Sequence, residues 1–112
     1  MYFIPESLNV VIENKTNKDI LGLELKYLND IGRKAKACKI KAGDSVNLVI
    51  ETKNVSKTNK FILKTREGMA YIVDCNILEN NCNLYLKIYL NKIFDGEIEF
   101  EAEYLKFENA IA

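Results

Sequence analysis

Histidine is absent from this 112-residue chain. That removes the usual general base near neutral pH, every Ser-His or Cys-His pair, and the commonest metal ligand. Tryptophan is absent too, and there is one proline, Pro5. The three cysteines, Cys38, Cys75 and Cys82, are odd in number and show no Cys-x-x-Cys spacing, which argues against zinc. Cys75 and Cys82 could bridge across a loop in an oxidising compartment; without an export signal the expectation is reduced thiols. Neither sign of charge is in excess, with 16 basic and 16 acidic side chains. No apolar run approaches the roughly 18 residues of a membrane helix, so no membrane span is expected. No cofactor is expected either.

What remains is 48% apolar and 29% charged, the balance of a globular protein, and 112 residues suit one domain over 1–112. Residues 1–6 lack a basic segment followed by a long apolar one, which predicts a cytoplasmic protein; a cell-envelope location would follow if an export signal had been removed. Lys53, Lys57, Lys60, Lys64 and Arg66 form a basic stretch without an acid. A neutral whole, and lysines rather than arginines, argue against nucleic acid as a partner.

The strongest pattern is in the last third. Leu84, Leu86, Ile88 and Leu90 alternate with Tyr85, Lys87 and Tyr89; Ile98, Phe100, Ala102 and Tyr104 alternate with Glu97, Glu99, Glu101 and Glu103. A period of two puts one set on each face of a strand, and a one-residue slip would drive glutamates into the core. The pair is expected to join through Asp95-Gly96, with Lys87 the partner of the opposed glutamates. A helix with Phe100, Tyr104, Phe107 and Ile111 on one side is the alternative, but it would stack Glu97 on Glu101 and Glu99 on Glu103.

Earlier in the chain, Leu8, Val10 and Ile12 mark a first strand. Asn14-Lys15-Thr16-Asn17-Lys18-Asp19 is a turn, because Asn and Asp bond back to the local backbone. Leu21, Leu23, Leu25 and Tyr27 are expected on one side of a second strand. The phase changes between Ala35, Ala37 and Cys38, Ile40 in the third, which a bulge would reconcile. Ala42-Gly43-Asp44 turns the chain into a fourth strand, with Val46, Leu48 and Ile50 in phase. Two further strands flank Glu67-Gly68; if those residues are the whole loop, Leu63 faces Ile72 and Ile62 faces Val73.

Three segments resemble the first half of small bacterial immunoglobulin-like domains of the FxLYD type: Val11-Ile12-Glu13-Asn14-Lys15-Thr16, then the stretch running from Ile20-Leu21-Gly22 to Tyr27-Leu28-Asn29-Asp30-Ile31-Gly32, then Ile40-Lys41-Ala42-Gly43-Asp44. Tyr27 and Asp30 are one residue further apart than in that pattern. The second half looks like short proteins of low-GC Gram-positive bacteria built on the same plan. The expected fold is therefore all-β, an immunoglobulin-like two-sheet sandwich of about 7–8 antiparallel strands. The resemblance implies no catalytic residues, and no enzyme is expected. The functional expectation is a protein-interaction or structural module, with Tyr85, Lys87 and Tyr89 as the interaction face, or self-association through an edge strand. A small-ligand-binding domain, or a Ca²⁺ site on the glutamates, is the alternative. A thiol or carboxylate enzyme is the least favoured, since Glu99 and Glu101 share one face and lack the differing environments that separate acid from base.

Overall fold

The computed structural model describes residues 7–28, 33–52, 60–74 and 84–106. Eight strands account for most of them: β1 Ser7–Asn14, β2 Ile20–Tyr27, β3 Lys34–Ile40, β4 Ser45–Glu51, β5 Phe61–Lys64, β6 Ala70–Val73, β7 Leu84–Phe94 and β8 Glu97–Lys106. They form two four-stranded sheets, β4-β1-β7-β8 and β3-β2-β5-β6. The segments around Cys75 and Cys82, and the tail after Lys106, lie outside the described residues.

The two-residue rhythm decides which side chains meet. From the first sheet Leu8, Val10, Ile12, Ile50, Leu86, Ile88, Leu90 and Ile98 turn inward; from the second come Ile20, Leu23, Leu25, Tyr27, Ile40, Phe61, Leu63 and Val73, all in one buried cluster. Each fully buried Leu or Ile contributes about 1.5–3 kcal/mol. Tyr27 stacks on Phe61 with ring centroids 5.1 Å apart, and its hydroxyl donates to the Glu51 carbonyl of the opposite sheet at 2.6 Å. The Tyr71 hydroxyl accepts the Ile98 N–H at 3.1 Å, a second link between sheets.

A third link is Asn14, wholly buried at the end of β1. Its Nδ2 donates to the carbonyls of Lys18 at 2.8 Å and Ile40 at 2.9 Å, and its Oδ1 accepts from Thr16 N at 3.0 Å and Thr16 Oγ1 at 2.6 Å. Its backbone N–H reaches the Asp44 carbonyl and its own carbonyl accepts from Gly43, both at 2.8 Å. The Asn-x-Thr turn expected here is thus the clamp that fastens β1 to β3 of the other sheet. A buried amide is tolerated because every polar atom has a partner.

Four expectations need correction. The strands are not all antiparallel: β7 runs parallel to β1, pairing Val10 with Leu86 and Ile12 with Ile88. Parallel neighbours cannot be joined by a tight turn, and here five strands of chain separate them. Second, Leu21 is 38% exposed while Ile20 takes the core position at 5%. Gly22, at φ 61°, switches the side-chain phase of β2; a Cβ there would lie 2.8 Å from the Cβ of Arg66. Third, β3 changes phase without a bulge, since Ile20 pairs with Ile40 and Leu23 with Ala37 in one register. The irregularity in β2 is matched by one in β3 at the same level, so pairing continues past it. Among the described residues a register shift lies instead at Asn91, between Leu90 and Lys92, which lets Leu90 and Ile93, three residues apart, both face inward. Fourth, the β5–β6 loop is longer than two residues. Ile62 pairs with Ile72 and Leu63 with Tyr71, and Thr65 N–H bonds the Met69 carbonyl at 3.0 Å.

Candidate interaction face

β7 lies between β1 and β8, so its outward residues form the middle row of the first sheet's outer face. Tyr85, Lys87 and Tyr89 all point outward and are half-buried by their neighbours. Val11 and Glu13 flank Lys87 and Tyr89 on the β1 side; Glu103 and Glu101 flank them on the β8 side.

The contacts centre on Tyr89. Its hydroxyl donates to Glu103 Oε2 at 2.9 Å, and the ammonium groups of Lys15 and Lys87 stand 5.3 and 5.1 Å from its ring centroid. Lys87 Nζ also meets Glu13 Oε1 at 3.3 Å. This corrects the expected pairing. Glu103 is opposite Lys87 in register, yet it accepts the tyrosine hydroxyl, and Lys87 turns to β1 for its carboxylate. Exposed pairs of this kind contribute about 0.2–1 kcal/mol, so the cluster matters more for holding Tyr89 in place than for stability. The Tyr89 pKa is raised above its ordinary value of 10.0, first by the hydrogen bond to Glu103, then by partial loss of water and by the negative charge of Glu103.

Val49 of β4, 43% exposed, adds apolar surface on the same side of the sheet. Glu97, Glu99, Glu101 and Glu103 of β8 are exposed, and Lys92 reaches Glu99 at 3.9 Å. Among the described residues no group of three or more His, Cys, Asp or Glu side chains is placed to hold a metal ion. Cys38 is an exposed, unbridged thiol on β3, not a core residue. No helix among the described residues is long and apolar enough to cross a membrane.

Sequence reasoning did not anticipate a second feature, on the opposite side of the molecule. An open groove of about 410 Å³ crosses the outer face of the second sheet, lined by Gly22, Glu24, Lys36, Cys38, Lys64 and Arg66 among others. The signal for it is divided: Lys64 and Arg66 end the basic stretch, while Lys34 and Lys36 belong to a strand whose alternation is broken at Cys38.

Comparison with known proteins bears on the fold. No family model and no curated protein matches the chain. It is similar in structure to a protein from Eubacterium rectale solved by NMR, with a TM-score of 0.51 over 96% of this chain and 95% of that one, at 11% identity. At that identity the likeness speaks for the fold alone: an all-β protein of two four-stranded sheets.

Proposed function

We propose that this chain is a non-enzymatic protein-interaction module of immunoglobulin-like, FxLYD-type plan, docking through the outer face of β7. Tyr89 carries the reading: its ring is held by two lysines and its hydroxyl by a glutamate, so the aromatic is oriented before a partner arrives. An anchor already in place costs little ordering on binding, and tyrosines are enriched at binding hot spots.

Chain order supports the immunoglobulin-like part. The succession β1 to β6, with sheet order β3-β2-β5-β6 and β4 beside β1, follows strands B, C, C′, E, F and G of a variable-type domain. The β7–β8 hairpin departs from it, standing where strand A would stand but parallel to β1. The Asn14-Lys15-Thr16 turn, with Asn14 and Thr16 buried and bonded to each other, supports the FxLYD-type part. A cytoplasmic location belongs to the same reading, and the unbridged Cys38 suits a reducing compartment.

The test is a Tyr85→Ser, Tyr89→Ser double variant with unchanged melting temperature. Wild-type protein should retain from native extract a partner that the variant loses; identical captures by both would defeat the proposal. Self-association is the second reading, favoured by Ile72, 55% exposed on the edge strand β6. Light scattering should then show a dimer that Ile72→Lys disperses, and a monomer at high concentration rules it out.

A further inference from the structure

We propose that the groove on the outer face of the β3-β2-β5-β6 sheet binds a small organic anion carrying at least two negative charges, held over Gly22 between Lys36, Lys64 and Arg66. The site is independent of the tyrosine face, which lies on the other sheet. Its volume of about 410 Å³ falls within the range of small-molecule clefts.

The floor exists because β2 carries no side chain at Gly22, where the Cβ of Arg66 lies too close for one. Arg66 is fixed at its base, its N–H donating to the Leu21 carbonyl at 3.2 Å. Its exposed side chain is left to the groove. The register then brings in the other two cations: Lys36 of β3 and Lys64 of β5 are the direct partners of Glu24 on either side of β2. β3 and β5 stand on either side of β2, about 9–10 Å apart at two strand spacings, a distance that two lysine side chains can close around one ligand.

Glu24 is the acid in the groove, and its carboxylate goes to Lys34 at 3.5 Å. Lys36, Lys64 and Arg66 form no ion pair with any described residue. The concentration of unpaired positive charge is the point. The chain is neutral, yet Lys26, Lys34, Lys36, Lys39 and Lys64 lie on this face with only Glu24 and Asp19 against them, and these are taken up by Lys34 and Lys39, while the four glutamates of β8 lie on the other sheet. A cleft lined by one sign of charge raises the local concentration of the opposite ion. Three donors from three elements around a bare floor suit a phosphate or polycarboxylate group better than an extended strand. Among the described residues the groove is confined to Gly22–Glu24, Lys36–Cys38 and Lys64–Arg66, a length that suits one such group rather than a nucleic acid backbone.

The test is an NMR titration of the whole ¹⁵N-labelled protein with pyrophosphate and, separately, citrate, at physiological ionic strength. Saturable shifts of the Gly22, Cys38, Thr65 and Arg66 amides are expected. A Lys64→Gln, Arg66→Gln variant should bind at least about tenfold more weakly at unchanged melting temperature, while Lys92→Gln, on the other sheet, should bind like the wild type. Pyrophosphate alone would make the ligand a phosphate compound, citrate alone a carboxylate. Absence of saturable shifts with either probe, or equal binding by the double variant, would overturn the site; so would shifts spread over every lysine, or binding of a single-stranded oligonucleotide only. None of these outcomes bears on Tyr89.

Discussion

Two hairpins in this protein turn on an acid followed by glycine, and they turn differently. Asp95-Gly96 is a complete two-residue loop, with φ of 57° and 80°, and Phe94 pairs directly with Glu97. That is the type I′ turn whose twist matches the flanking strands, and it needs left-handed backbone at both positions. Glu67-Gly68 does not make it. Only Gly68 is left-handed there, at φ 90°, and Gly68 N–H bonds the Thr65 carbonyl at 3.0 Å, so the loop takes a third residue and the register moves by one. Asp tolerates the left-handed region because its short side chain can bond the local backbone; Glu gains nothing comparable. One methylene thus separates a hairpin whose register can be read from the chain from one whose register cannot.

The difference extends to the strands. β7 and β8 run 11 and 10 residues, and three of the most deeply buried side chains, Leu86, Ile88 and Leu90, come from β7. β5 and β6 have four residues each, and Ile72 of β6 faces water. The sharpest way to break the comparison is therefore Leu86→Ala against Ile72→Ala. Urea denaturation should show a loss of about 2–5 kcal/mol for the first and no more than about 0.5 kcal/mol for the second. Equal losses would mean that the longer hairpin does not hold the core.

Between those extremes lies Gly22→Ala, which tests the strand β2 that carries the shorter hairpin. It forces a side chain into left-handed backbone against Arg66, and should cost at least about 1–2 kcal/mol. A neutral substitution would mean that Arg66 can withdraw without loss. The turns come next. Asp95→Ala should cost about 1 kcal/mol by placing a residue without a bonding side chain at φ 57°, whereas Glu67→Ala should be silent within about 0.5 kcal/mol. Matching effects at the two positions would refute the account of the turns.

The smallest effect concerns titration. The raised pKa of Tyr89 means that its hydroxyl is held better in the folded protein, so this contribution is complete below the ordinary value of 10.0 and disappears as pH rises through the higher folded value. Glu103→Gln should bring the Tyr89 absorbance titration back toward 10.0 with no change in melting temperature at neutral pH. An unmoved titration would show that the hydroxyl does not donate to Glu103.

Much of the fold was legible because strand periodicity and turn chemistry are local. Leu86, Ile88, Leu90 and Ile98 turned inward and the β8 glutamates outward as their alternation required, and Asn14-Lys15-Thr16 turned the chain. Leu21 misled because its neighbour Gly22 changes phase for a reason that lies forty-four residues away in Arg66. The candidate face was legible as a row, Tyr85, Lys87, Tyr89, but its pairing was not: Lys87 had a carboxylate on each side, and β1 supplied the one it took. Of the basic groove only Lys64 and Arg66 were legible, as the end of a basic stretch, because Lys36 and Glu24 come from separate segments that only the strand register brings beside them.

By itself the sequence determined which residues alternate, where two-residue turns can form, and that no histidine-based chemistry is available. Which strands became neighbours was decided in three dimensions, where β7 settles parallel to β1 and β3, β2 and β5 bring Lys36, Glu24 and Lys64 side by side. The reason is one of range: side-chain alternation acts within a few residues along the chain, whereas pairing partners and shared charge are chosen by burying one core between two sheets.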